Sequence, residues 1–148
     1  MGSESSLWKT VQKNMKGFWE ADRVENPVNP GMPDVYFTLK SSGVMGWIEL
    51  KHAHAWPRKA CTPLRIDHFT RVQRNWFKRH GKEGANIHLL LQVGTDYFLI
   101  QWDVVPDIGK MTKQDYFKRC FSWERSINYL ELFDILEINR HYQETDNF

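Results

Sequence analysis

The segment from Gly31 to Lys51 constrains this chain more than any other, because two β-forming runs joined by a short turn end in charged residues at matched positions. Val35-Tyr36-Phe37-Thr38-Leu39 and Val44 to Leu50 are rich in β-branched and aromatic residues, and the stretch between them ends in Gly43. That is the pattern of a β-hairpin. A turn centred between Ser41 and Ser42 makes residues whose numbers sum to 83 face each other, which sets Asp34 opposite Glu49. Residues opposed in this way have Cβ atoms roughly 4.5–5.5 Å apart. Two carboxylates at that distance repel unless a cation lies between them, and a hard divalent ion takes oxygen ligands in this manner. Strand alternation then sends Glu49 and Lys51 to one face and Leu50 to the other, into a core.

A chain of 148 residues suffices for one domain with a proper core. Its 41% apolar content, with seven Trp, five Tyr and nine Phe, belongs to a folded protein. No apolar run reaches the roughly 20 residues of a membrane span, so membrane association is not expected and the expected location is cytoplasmic. Cys61 and Cys120 have neither metal-ligand nor disulfide-framework spacing and read as reduced thiols. The net charge of +2 conceals an asymmetry: from His52 to Lys82 eight Lys and Arg stand against the single acid Asp67, leaving the remainder of the chain at −5. A basic segment directly after a carboxylate pair suits a surface for phosphates. A solvated charged face is the plainer reading of such a run.

In chain order, Leu7, Val11, Met15 and Phe18 recur at helical spacing behind the capping residues Ser3 to Ser6, and the helix stops near Gly17. Glu4 shares its apolar stripe. Phe18 to Val24 reads as a short strand, and Asn26 to Gly31 as a rigid turn. His52 and His54 lack further ligands at zinc spacing. Trp56 reads as a core or lid residue, or with Arg58 and Lys59 as a stacking and phosphate-contacting loop. Thr70 to His80 is a helix with the capping box Thr70-x-x-Gln73, an apolar side of Val72, Trp76 and Phe77, and a basic stripe of Arg71, Arg74 and Lys78. Gln73 suits either a cap or an amide aimed at the carboxylates. Asn86 to Val93 is a buried strand, Asp96 to Gln101 returns, and a right-handed crossover through the preceding helix makes the sheet mixed. Thr112 to Phe121 and Ser122 to Asn139 read as two further helices, the second within a tail that is −4 from Glu124 to Asp146.

Pro33-Asp34 followed by Glu49-Leu50-Lys51 resembles the PD-(D/E)XK nuclease superfamily. The wider series of Gly31 to Val35, Gly46 to Lys51, Gln73 on a helix ending at Gly81, and an apolar strand is similar to its VRR-NUC branch, whose stand-alone, often phage-encoded members resemble Holliday-junction resolvases. The likeness covers roughly residues 4 to 101. It implies an α/β, restriction-endonuclease-like core, with a central mixed sheet flanked by helices. The whole chain, 1–148, is then one nuclease domain in which 110–148 form a helical C-terminal extension. It further implies a metal-dependent DNA endonuclease selective for branched DNA or Holliday junctions. Asp34, Glu49 and the Leu50 carbonyl match its metal ligands, Lys51 its catalytic lysine and Gln73 its supporting glutamine. Glu4 is the better match for its first-helix glutamate and Glu20 the runner-up. The implied cofactor is Mg²⁺, with Mn²⁺ able to substitute, and no organic cofactor. The expected partners are DNA, with the basic residues Arg58, Lys59, Arg71, Arg74 and Lys78 as its contacts, and, on the resemblance, a second copy in a homodimer. The competing expectations are a non-cleaving nucleic-acid-binding module and a phage protein that acts on a host factor through its acidic tail.

Overall fold

The computed structural model describes residues 2–24 and 31–146, side chains of 139–146 excepted. The expected turn over Asn26 to Pro30 lies outside the described residues. Helix α1 (Glu4–Met15) begins at Ser3, whose side chain accepts from the Ser6 N–H, and buries Leu7, Val11 and Met15 along one stripe. Strand β1 (Trp19–Arg23) follows, then the hairpin of β2 (Val35–Leu39) and β3 (Met45–Ala53). Helix α2 (Arg71–Gly81) returns the chain to β4 (Ile87–Val93), which turns into β5 (Asp96–Gln101). A short 3₁₀ turn precedes α3 (Lys113–Arg119), β6 (Phe121–Glu124) and α4 (Tyr129–Asp146). No described helix is long and apolar enough to cross a membrane.

The six strands lie in sequence order, with β3 and β4 parallel and every other pair antiparallel. The fold is thus α/β with a mixed sheet between two helical layers. Alternation along the central strands divides the core. Leu50, Leu90 and Leu99 face α1 and α4, while Leu89, Leu91, Val93 and Ile100 face α2, α3 and the segment carrying Leu64, Ile66 and Phe69. Burying both faces of β4 is what allows its uninterrupted apolar run. Beneath α4, the Asn86 amide donates to the Leu136 and Met45 carbonyls, and His88 pairs with Asn86 at 2.7 Å. Burial pulls the His88 pKa down to about 3, so this histidine is a neutral part of the core.

The C-terminal region departs from the sequence expectation. Residues from Phe121 do not continue into helix; they form β6, paired with β5 through Tyr97↔Trp123 and Phe98↔Ser122. Residues 110–148 are therefore not a purely helical extension, because they supply an edge strand of the sheet. Cys120 is already extended, and Arg125 at φ 71° breaks the chain before α4. Both cysteines are free, as expected.

Gly46 is the tightest point of the hairpin. A Cβ there would come within 2.5 Å of Phe37 Cζ and 2.6 Å of the Asn86 carbonyl oxygen. Gly46→Ala should cost about 1–3 kcal/mol of stability, read from the urea midpoint with the denaturant slope unchanged.

Candidate functional site

The hairpin register matches the expectation, with Val35↔Ile48, Tyr36↔Trp47 and Phe37↔Gly46. Extending it by one pair sets Asp34, immediately before β2, against Glu49. The two are tied reciprocally: the Asp34 N–H donates to Glu49 Oε1 at 3.1 Å, and the Leu50 N–H donates to Asp34 Oδ1 at 3.1 Å. Neither tie is a regular ladder bond. The strand ends are thereby pinned by the carboxylates themselves.

Lys51 lies two residues beyond Glu49 on the same face, and each is only 3% exposed. Its Nζ donates to the His68 carbonyl at 2.8 Å, lies 3.6 Å from Glu49 Oε2 and 5.7 Å from the Phe69 ring centroid. Glu4, in the first turn of α1, reaches to 4.0 Å from the same Nζ. Glu20 instead stands exposed on β1, 3.6 Å from Lys40, and takes no part. Of the two candidates, the structure brings only Glu4 to the site.

Gln73 fills both roles that the sequence left open. Its Oε1 accepts from the Thr70 N–H at 2.9 Å, closing the capping box, and its Nε2 donates to Glu49 Oε2 at 3.1 Å. Because the backbone donor claims the oxygen, the NH₂ group must face the carboxylate. Two supports had no role assigned from sequence. Arg23 lies 3.8 Å from Asp34, a placement readable only once β1 is paired with β2. The His68 carbonyl, being backbone, leaves no trace in residue types.

Burial and mutual charge govern the pair. Glu49 is pushed up to about 8, first by burial and then by the Asp34 carboxylate, with Lys51 opposing. Asp34 is also raised by burial, against the Leu50 N–H and Arg23. Among the described residues no group of three or more His, Cys, Asp and Glu forms a ready metal cage. The donor set still fits a hard divalent cation. Mg²⁺ binds through one or two carboxylates and keeps several waters, the two acids repel in its absence, and Glu4 Oε1 is buried with no hydrogen-bond partner. The Leu50 residue is accounted for here by its N–H, which serves Asp34.

The basic residues separate. Arg71 and Lys78 are exposed on α2, and Arg58 and Lys59 are exposed on the loop after β3. Arg74 is not free for phosphate: its guanidinium donates to the Val105 and Ile108 carbonyls at 3.4 and 2.9 Å and covers the Phe69 ring. Val72, expected on the packing side, is 52% exposed. Trp56 takes the core role, donating to Asp96 at 2.7 Å among Phe98, Tyr116 and Phe117. His52 and His54 line a cleft of about 520 Å³ together with Arg65, Asp67 and His68.

A scan of the chain against protein-family models finds no match, and a search of curated proteins finds no significant relative.

The raised Glu49 gives a signed pH dependence. Between the unfolded value of about 4.3 and the folded value of about 8, the native state holds a proton that the unfolded state lacks, so stability falls as pH rises through that window. In EDTA, Glu49→Gln should raise Tm relative to the parent by several degrees at pH 8 and far less at pH 4.5, where the parent glutamate is already protonated. A difference between the two proteins that does not vary with pH would contradict this account.

Proposed function

We propose that the chain is a metal-dependent endonuclease of the PD-(D/E)XK type, in its VRR-NUC branch, that hydrolyses phosphodiester bonds in branched DNA. The observation that carries this reading is the meeting of Asp34, Glu49 and Lys51 at the end of one hairpin, with Gln73 bonded to Glu49 and Glu4 beside Lys51. A carboxylate pair alone is compatible with many roles. The pair with a buried, carbonyl-fixed ammonium on the same strand suits charge development on a phosphate.

Asp34 and Glu49, with the Leu50 carbonyl and Glu4, would hold the cation, Mg²⁺ or Mn²⁺. Bound there, it supplies Lewis acidity for attack of water on the phosphodiester. The residues of the chain do the positioning. Gln73 fixes the Glu49 carboxylate, and the main-chain N–H of Leu50 fixes that of Asp34. Lys51, aimed by the His68 carbonyl, orients the incoming water or stabilises the charge that grows as the new P–O bond forms and the bond to the 3′ oxygen breaks. The products are a 3′-hydroxyl and a 5′-phosphate, as the resemblance implies. Arg71, Lys78, Arg58 and Lys59 contact the backbone without reading sequence. One site cuts one strand, so symmetric cleavage of a junction calls for a homodimer.

Nicking of supercoiled plasmid and of a labelled four-way junction, flap, linear duplex and single strand in Mg²⁺, with EDTA as control, tests the reading. Asp34→Ala and Lys51→Ala should each lose about a hundredfold or more in cleavage rate while binding DNA within threefold of the parent. Normal cutting by Asp34→Ala would overturn the site, and binding without cutting in Mg²⁺ or Mn²⁺ would leave a DNA-binding module.

The divided basic stripe yields a separate expectation. Arg71→Ala and Lys78→Ala should each weaken binding and lower the salt slope by about one at unchanged Tm. Arg74→Ala should chiefly lower Tm, since it strips the donor from the two carbonyls.

A further inference from the structure

The face that carries the carboxylates continues into aromatic surface. One cross-strand pair along the hairpin from Asp34 and Glu49, on the same face, are Tyr36 and Trp47, whose ring centroids lie 5.0 Å apart. Both residues are partly buried, short of full enclosure. One pair further on, the Tyr36 hydroxyl donates to Met45 Sδ at 2.8 Å, and Met45 is 46% exposed. Helix α2 runs alongside in the opposite direction to β3, with Gln73 against Glu49 and Trp76 edge-on to Trp47 at 6.0 Å. His80 stacks on Trp76 at 3.8 Å.

Trp76 gives up its exposure to the core. Tyr36 and Trp47 keep part of theirs, and accessible aromatic faces next to a charged site suit the stacking of a planar group. The neighbouring charge narrows the choice. Helix α2 carries Arg71, Lys78 and Arg79 with no acid between Arg71 and Lys82. Aromatic faces for bases next to cations for phosphates are the combination that holds a single strand.

We infer that Tyr36 and Trp47 form a stacking platform for unpaired nucleotides next to the bond that is cut, so that the substrate is DNA with a single-stranded segment at the site. A fully paired duplex keeps its bases stacked on each other and offers the rings nothing to cover. This rests on the nuclease reading for the words "bond that is cut", but the platform has its own readout in binding.

The test is fluorescence anisotropy of the full chain in EDTA with a labelled duplex bearing an oligo-dT arm and with the same duplex blunt-ended. The parent should prefer the armed duplex. Tyr36→Ala should lose about tenfold on the armed duplex, the scale of one stacked base, and stay within twofold on the blunt one. Tyr36→Phe, which keeps the ring, should retain the preference. If the alanine variant loses its native circular dichroism, Tyr36→Leu, which fills the space without a π-face, serves instead. Equal loss on both duplexes, or no loss on either with the fold intact, overturns the platform. A chain that prefers the armed duplex through Tyr36 yet cuts nothing in Mg²⁺ upholds the platform and refutes the nuclease, so the two failures read differently.

Discussion

Two carboxylates taken out of water at facing ends of one hairpin are the constraint around which the rest of the molecule is arranged. Burial alone would drive both to the neutral form, and proximity penalises ionising the pair. The structure answers with groups from five separate segments: Leu50 and Lys51 on β3, Arg23 on β1, Gln73 on α2, and Glu4 and His68 in the immediate surround. None of these is adjacent in sequence to Asp34. The sheet is what makes their meeting reproducible, since its two apolar faces leave little room for the strands to shift.

Helix α2 shows how closely structural and site roles are joined. Its first turn is capped by the same Gln73 that holds Glu49, so the cap and the carboxylate are set by one side chain. Its next residue, Arg74, clamps the 3₁₀ turn through two carbonyls. Only the outward residues of the helix remain available to a partner. A helix anchored at cap, carboxylate and turn can present those outward cations in a fixed place relative to the acids.

Much of this was legible because it is local. Turn length and strand parity together set the Asp34 and Glu49 register, and neither depends on distant contacts. The capping box at Thr70 and the buried run of β4 are local in the same sense. What escaped was tertiary in origin. Phe121-Ser122-Trp123-Glu124 is too short to carry a period, lies between two helical patterns, and becomes a strand only by pairing with β5. Arg74 sits at helical spacing with Arg71 and Lys78, and only the packed 3₁₀ turn distinguishes it from them. Glu4 was the better match and Glu20 the runner-up, and the direction of α1 over β3 is what brings Glu4 to the site.

The aromatic strip and the raised pKa of Glu49 belong to one face of the hairpin. Tyr36 and Trp47 are the next facing pair on the same side of the hairpin as Asp34 and Glu49, with ring centroids 5.0 Å apart. A base laid on Tyr36 would cover the site from water at the moment a phosphate arrives beside Lys51. Low local dielectric strengthens every charge contact within it, so stacking and electrostatics would reinforce each other at this site. On a continuous duplex the same surface would face paired, already stacked bases, and the exclusion would be lost. Selection for unpaired nucleotides would then come from how well the substrate closes the site, with no base edge being read.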